Sequence, residues 1–405
     1  MLPMDRRVWL IVAVVLLRLA ALLFLLDRLP AVVDGHYVAN DALRFHEIAV
    51  TPGTPYVDFE VEVPPAEYFY LVAQHGTDPR STAVNLAIGQ FLLDLVLVGG
   101  LLCGWNQRAA IAYLLISLPL IPYLYFRVDL LSMTLAVLGF AFVRKRLNVL
   151  GGITLALAVM SKVWPLALLP LLLVERRWKA TAVFVGATAA AFAGWIAWVG
   201  LDGIREVATF RSSHGWQIES VVGTIVLLVS AKPVVYEGGA LRVGEAAAAA
   251  RAALTGTFAF AAGVASVLAW KRDAVRGSGR DTVRLDEGPD GTAVLAVVIV
   301  AAMLVLSPIL SWQYVAWLIP WAAIAAADGD YPLGGLTLVV TALTSWLVFL
   351  SLPLSARSHL AEAVALIRDS VLVVIVVLGF FRLIRGRRST EDWQTGIRDP
   401  EPVDI

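Results

Sequence analysis

Six clusters of lysine and arginine divide an otherwise apolar chain, and this alternation limits the fold more than any single motif does. The clusters are Arg6-Arg7, Arg108, Arg144-Lys145-Arg146, Arg176-Arg177-Trp178-Lys179, Lys271 to Arg284, and Arg382 to Arg388. With 59% apolar residues and a mean hydropathy of +0.78, the chain falls outside the range of soluble proteins of its length. Roughly 20 apolar residues in a helix cross about 30 Å of hydrocarbon. Val8 to Leu26, Ala83 to Cys103, Thr181 to Gly200, Leu333 to Leu352 and Arg368 to Phe381 reach or approach that length. The chain reads as an all-α polytopic membrane protein. Its first apolar run lacks a convincing small-x-small cleavage site after Leu26 and reads as a retained helix.

Short loops rich in Lys and Arg stay cytoplasmic, so the six clusters belong on one side. That rule folds the stretch from Arg108 to Arg144 into two crossings with Arg127-Val128-Asp129 at an outer vertex. Leu147 to Val174 reads either as a hairpin with short arms or as one long helix interrupted at Lys162 and Pro165. In a hairpin, the turn Ser161-Lys162-Val163-Trp164-Pro165 sits below the outer surface, which requires a protein-lined cavity. Val221 to Ala231 is too short to span and reads as re-entrant or surface-lying. The result is about twelve transmembrane helices with both termini cytoplasmic. Residues 1–388 form one transmembrane domain, with external segments at 27–82 and 201–250, a cytoplasmic loop at 271–291, and a polar tail at 389–405 that reads as disordered. Formal net charge is zero, and the single cysteine, Cys103, excludes an internal disulfide and gives no support to a thiolate metal site.

The external segment between the first two apolar runs is long and acidic. Residues 27–80 hold nine carboxylates against three arginines, far more than a connector needs. The charge count places its Asp58, Glu60 and Glu62 on the same side as Arg127, Lys162, Arg211, His214 and Glu219. Ionisable groups near a membrane pair with one another or serve function. Carboxylates near recessed cations suit a reaction in which cations hold an anionic lipid donor while a base takes a proton from an acceptor. Bland readings compete: a solvated loop face for Asp58, mutual pairing of Arg127 with Asp129, snorkelling for Lys162, simple exposure for His214, interfacial anchoring for Trp164, Trp216 and Trp312, and a buried polar contact for Asp94.

At these residues the chain resembles the GT-C glycosyltransferases of family 87, which include the polyprenyl-phosphate-mannose-dependent mannosyltransferases of actinobacteria. The matching features are Asp34, the segment Pro55-Tyr56-Val57-Asp58-Phe59-Glu60-Val61-Glu62-Val63-Pro64-Pro65 with Val63 in place of the usual Tyr, and Arg127-Val128-Asp129-Leu130-Leu131. Further on come Lys162-Val163-Trp164-Pro165, Gln217-Ile218-Glu219-Ser220, Ser307-Pro308, and Gln313-Tyr314-Val315-Ala316-Trp317-Leu318-Ile319-Pro320. The resemblance implies a GT-C-type fold whose long first loop carries short interfacial helices. It implies transfer of a sugar, most simply mannose, from a polyprenyl-phosphate donor to a lipid-linked or envelope glycan acceptor at the outer face of a bacterial plasma membrane. In that chemistry Asp58 is the general base, and Glu60, Glu62, Asp34 and Glu219 hold the acceptor. Arg127, Lys162, Arg211 and His214 hold the donor phosphate. Neither a metal nor a cofactor beyond the lipid-linked sugar is implied, and the protein is expected to act as a monomer without nucleic acid. A transporter or flippase of an anionic or lipid-linked substrate is the rival reading, and a non-catalytic scaffold is the third.

Overall fold

The computed structural model describes residues 6–27, 38–209, 215–237, 240–277, 291–349 and 356–385. Among them, five helices are long and apolar enough to cross a membrane: Val8–Asp27, Pro79–Gly104, Trp178–Val199, Ala248–Arg272 and His359–Arg385. The helices Gln107–Ile116 and Leu118–Phe126, bent by 47°, make a sixth if they form one span. The bend falls at Ser117, just before Pro119 and Pro122, which lack the N–H that would continue a straight helix. Shorter apolar helices cover Asn148–Ser161, Trp164–Val174, Thr292–Leu306 and Tyr331–Leu347. Leu16, Leu23, Phe24, Phe260, Val267 and Val377 all stay exposed on the long helices, as lipid-facing side chains would.

Tight turns join neighbouring helices, two of them at basic clusters. After the helix Asp129–Arg144, Arg146 takes φ 63°, and Leu147 N–H donates to Phe142 O at 2.9 Å. After Val174 the pattern recurs, with Arg176 at φ 55° and Arg177 N–H donating to Leu172 O at 2.9 Å. A third copy uses Gly329, φ 91°, with Asp330 N–H donating to Ala325 O at 2.9 Å. Each closes a helix with a left-handed residue and a six-to-one hydrogen bond. The first turn folds Asn148–Ser161 back along Asp129–Arg144, and the two backbones meet at glycine. A Cβ on Gly151 would lie 2.6 Å from Val143 Cγ2 and 2.8 Å from Gly139 O, so only a small residue fits.

One ionic group ties the first helix to the bundle. Arg18, fully buried, pairs with Asp94 of the helix Pro79–Gly104 and also donates to Ser117 Oγ and, at 3.1 Å, to Leu114 O. Tyr113 and Tyr125 donate their hydroxyls to Asp94 at 2.6 and 3.1 Å, and the guanidinium lies 5.3 Å from the Tyr113 ring centroid. Asp94 thereby finds the role that its sequence context leaves open.

A small sheet refines the all-α expectation. The stretch around residue 216 carries a three-stranded antiparallel sheet in which Ala240–Val243 pairs with both Trp216–Gln217 and Val234–Glu237. The two-residue strand and its partners are too short and too irregular in polarity to show a period of two. Between the strands, the helix Val221–Val229 has 9 residues, roughly 14 Å at 1.5 Å per residue, which is less than half a bilayer core. The segment between the first two long helices holds the helices Val38–Val50 and Pro65–Gln74. These close over a core of Phe45, Ile48, Tyr56, Val61, Val63 and Leu71 packed against Leu86, Val128, Met160 and Trp195.

Replacing Asp94 by Leu strands a buried guanidinium, a loss of about 3–5 kcal/mol. Thermal melting of purified protein should show the single variant strongly destabilised, and the double variant Arg18→Leu with Asp94→Leu recovering most of the loss.

Candidate functional site

A cavity of about 250 Å³ forms where the segment between the first two long helices meets three interrupted helices. Its volume lies just under the roughly 300–1,000 Å³ of small-molecule sites. The helix Val38–Val50 contributes Asp41, Arg44 and Phe45, which the i, i+3, i+4 spacing puts on one face. Glu62 and Val63 precede Pro64-Pro65, and Glu67 stands in the first turn of the helix that Pro65 begins. Asp129 likewise opens a helix, just after the extended Arg127. Carboxylates at two helix N-termini are favoured by the unpaired N–H groups and the dipole there.

Lys162 is delivered by a break. Asn148–Ser161 ends, Lys162 is extended at φ −153° and ψ 140°, and a short 3₁₀ helix starts at Trp164 with Pro165 in its first turn. Its ammonium lies 3.2 Å from Glu67 Oε2 and 3.9 Å from Asp129 Oδ1. Arg127 pairs with Asp41, and Arg44 with Glu62. Asp41 and Arg127 are about equally accessible, at 15% and 14%, whereas Glu67 and Asp129 are 1% exposed and Glu62 4%. Solvent or a ligand therefore reaches Asp41 more readily than the other carboxylates.

One wall is aromatic. Trp164 and Trp317 stack at 5.2 Å and 9°, and Tyr314 stacks on Trp317 at 4.2 Å and 24°. Both indoles are anchored: Trp317 Nε1 donates to Asp129 Oδ1 at 2.8 Å and Trp164 Nε1 to Ser132 Oγ at 3.0 Å. Asp129 thus serves the ammonium and the indole together. A rigid apolar plate beside cations suits the carbon face of a sugar or an isoprenoid chain near a phosphate. A second cavity of about 220 Å³ adjoins the first and shares Arg44 and Glu62 with it; Glu47, Thr51, Phe59 and Glu60 complete much of its lining.

The residues expected from sequence separate into three groups. Arg127, Lys162 and Glu62 meet in the larger cavity, and Glu60 lines the adjoining one. Asp34, Arg211 and His214 lie outside the described residues. Asp58 and Glu219 line neither cavity. Asp58 is exposed, and its Oδ2 accepts the Thr54 N–H at 2.6 Å, while Tyr56 N–H donates to Phe59 O at 3.0 Å. Both bonds close the Thr54–Phe59 turn, in which Tyr56 holds φ 67°. The Tyr56 hydroxyl donates to Val63 O at 2.7 Å, and burial lifts its pKa far above the usual phenol value, so it stays neutral. The motif's tyrosine and aspartate shape the turn that brings Glu62 and Glu67 to the cavity. From the other side, Glu206 accepts the Val61 N–H at 2.6 Å, and its neighbours Val207 and Ala208 reach the lining.

Asp41, Arg44 and Glu67 are functional candidates that the sequence reading does not single out. The available signal is the helical spacing of Asp41, Arg44, Phe45 and Ile48, in a segment expected to carry short helices but with none of them placed. Arg127 and Asp129 do not pair with each other as one reading had them; each has a separate partner, Asp41 and Lys162. Among the described residues, no three His, Cys, Asp or Glu are grouped to hold a metal ion. Asp58→Ala should cost no more than about 1 kcal/mol, the loss of one solvent-exposed hydrogen bond, measured by thermal melting of the purified protein.

No protein-family model matches this chain, and no curated protein matches it in sequence.

Proposed function

We propose that the protein is an inverting glycosyltransferase that moves a sugar, most simply mannose, from a polyprenyl phosphate to a lipid-linked or envelope glycan acceptor. The observation that carries this reading is the convergence of Arg44, Arg127 and Lys162 with Asp41, Glu62, Glu67 and Asp129 in one cavity walled by Trp164, Tyr314 and Trp317. An acceptor oxygen attacks the anomeric carbon, the carbon–oxygen bond to phosphate breaks, and polyprenyl phosphate leaves with the bonding electrons. Arg127 and Lys162 face the charge that develops on the phosphate; an arginine has five N–H donors, enough to hold Asp41 and a phosphate oxygen together. The acceptor's proton passes to Asp41, the most accessible of the four carboxylates, in place of Asp58. Glu67 and Asp129 fix Lys162, and Glu62 stands between the two cavities on the acceptor side.

The same reading gives about twelve crossings in a bacterial plasma membrane, with cytoplasmic termini and an external cavity. It is supported by the five to six long apolar helices and by the basic clusters between them.

The test is transfer of labelled mannose from polyprenyl-phosphate mannose to an envelope extract by protein in nanodiscs. Asp41→Asn should lose about 10²- to 10⁴-fold, the usual contribution of a general base. Asp58→Ala should stay within about tenfold of wild type, since it removes no cavity group. Full activity in Asp41→Asn overturns the base assignment. Absence of transfer from any polyprenyl-phosphate sugar overturns the enzyme reading and returns the chain to the transporter class.

A further inference from the structure

Glu219 and Gln217 lie outside both cavities, yet they hold the segment that forms one wall of the larger one. Gln217 N–H donates to Pro308 O at 3.3 Å, and its Nε2 donates to Ser311 Oγ at 3.4 Å. Ile309, Gln313, Tyr314 and Trp317 of that segment line the cavity. The Gln217 side chain also hydrogen-bonds the Glu219 carboxyl. Glu219 is 4% exposed, and its carbonyl accepts from Arg368 of the helix His359–Arg385.

The charged groups around Glu219 come from two elements. Arg242 of the small sheet donates to Gly215 O and Glu237 O, both at 2.9 Å. From the last helix come Arg368 and Asp369, paired with each other at 2.7 Å. Among the described residues, no donor reaches Gln217 Oε1 or Glu219 Oε2, although both are buried. Two buried acceptors without a donor are unfavourable, and a proton on the carboxyl supplies one.

We propose that Glu219 is a positioning residue that works as a neutral carboxylic acid, completing the hydrogen bonds of Gln217 and so fixing the Pro308–Gln313 wall of the cavity. Burial favours the uncharged form and lifts the Glu219 pKa from 4.5 to about 7, against the opposing pull of Gln217, Arg368 and Arg242. Because the folded value is raised, the stabilisation is complete below about pH 4.5 and is lost as pH rises through about 7. The brace therefore loosens just above neutrality.

Two measurements on the full-length protein test this, and neither needs enzymatic activity. The wild-type melting temperature should fall between about pH 5 and pH 8, while Glu219→Gln, which keeps a neutral donor, should stay near the low-pH wild-type value throughout. At about pH 6, hydrogen exchange in residues 308–318 should be at least tenfold faster in Glu219→Ala than in wild type, with Glu219→Gln restoring protection. A flat wild-type profile, the same fall in Glu219→Gln, or unchanged exchange in Glu219→Ala each overturns the proposal. If Glu219→Ala does not fold, the comparison of wild type with Glu219→Gln decides alone.

Discussion

A charge buried among apolar helices must meet its opposite, and much of this molecule's architecture follows from that constraint. Arg18 would be costly on the first helix without Asp94, and Asp94 in turn recruits Tyr113 and Tyr125, so a single ionic group orders four helical segments. The same rule operates at the cavity under a different geometry. There the cations are partly accessible, and their carboxylate partners come from elements distant in sequence: Asp41 for Arg127, Glu62 for Arg44, Glu67 and Asp129 for Lys162. The first group is closed and structural. The second opens onto the cavity, where Arg44, Arg127 and Lys162 stay 27%, 14% and 18% accessible beside their carboxylates.

The helical breaks matter as much as the charges. An uninterrupted helix through residue 162 would carry Lys162 on its surface and leave no opening. The break at Lys162, enforced by Pro165, places an extended residue between two short helices and lets Trp164 reach Ser132 while the ammonium reaches Glu67. Irregular backbone in a membrane protein is stable only where protein or water surrounds it, and here it borders the cavity.

Sequence made the membrane character, the interruption at Lys162 and the gathering of Arg127, Lys162 and Glu62 legible, because hydropathy, proline and charge placement are local signals. It made the partners far less legible. Nothing near Arg127 names Asp41, 86 positions away, since such a pair exists only once two short helices and a turn have folded. Asp58 drew attention because it sits in a conspicuous acidic, proline-bounded segment, yet that conspicuousness belongs to a turn whose closure needs Tyr56 at positive φ and a carboxylate to take the Thr54 N–H. The small sheet was invisible for a related reason: Trp216–Gln217 is too short to carry a period, and only its pairing with Ala240–Val243 defines it as a strand.

Arg146 and Arg176 sit at left-handed turn positions where glycine would be unstrained, as it is at Gly329. For a side-chain-bearing residue that conformation costs on the order of 1 kcal/mol. Glycine there would relax the turns and remove two positive charges from the loops that, on the proposed topology, must stay in the cytoplasm during synthesis. On that topology, these two residues serve two ends in one place: the backbone reversal of the finished fold and the orientation of the chain in the membrane. A small loss of final stability is, on that topology, what the backbone concedes to keep two positive charges in those loops.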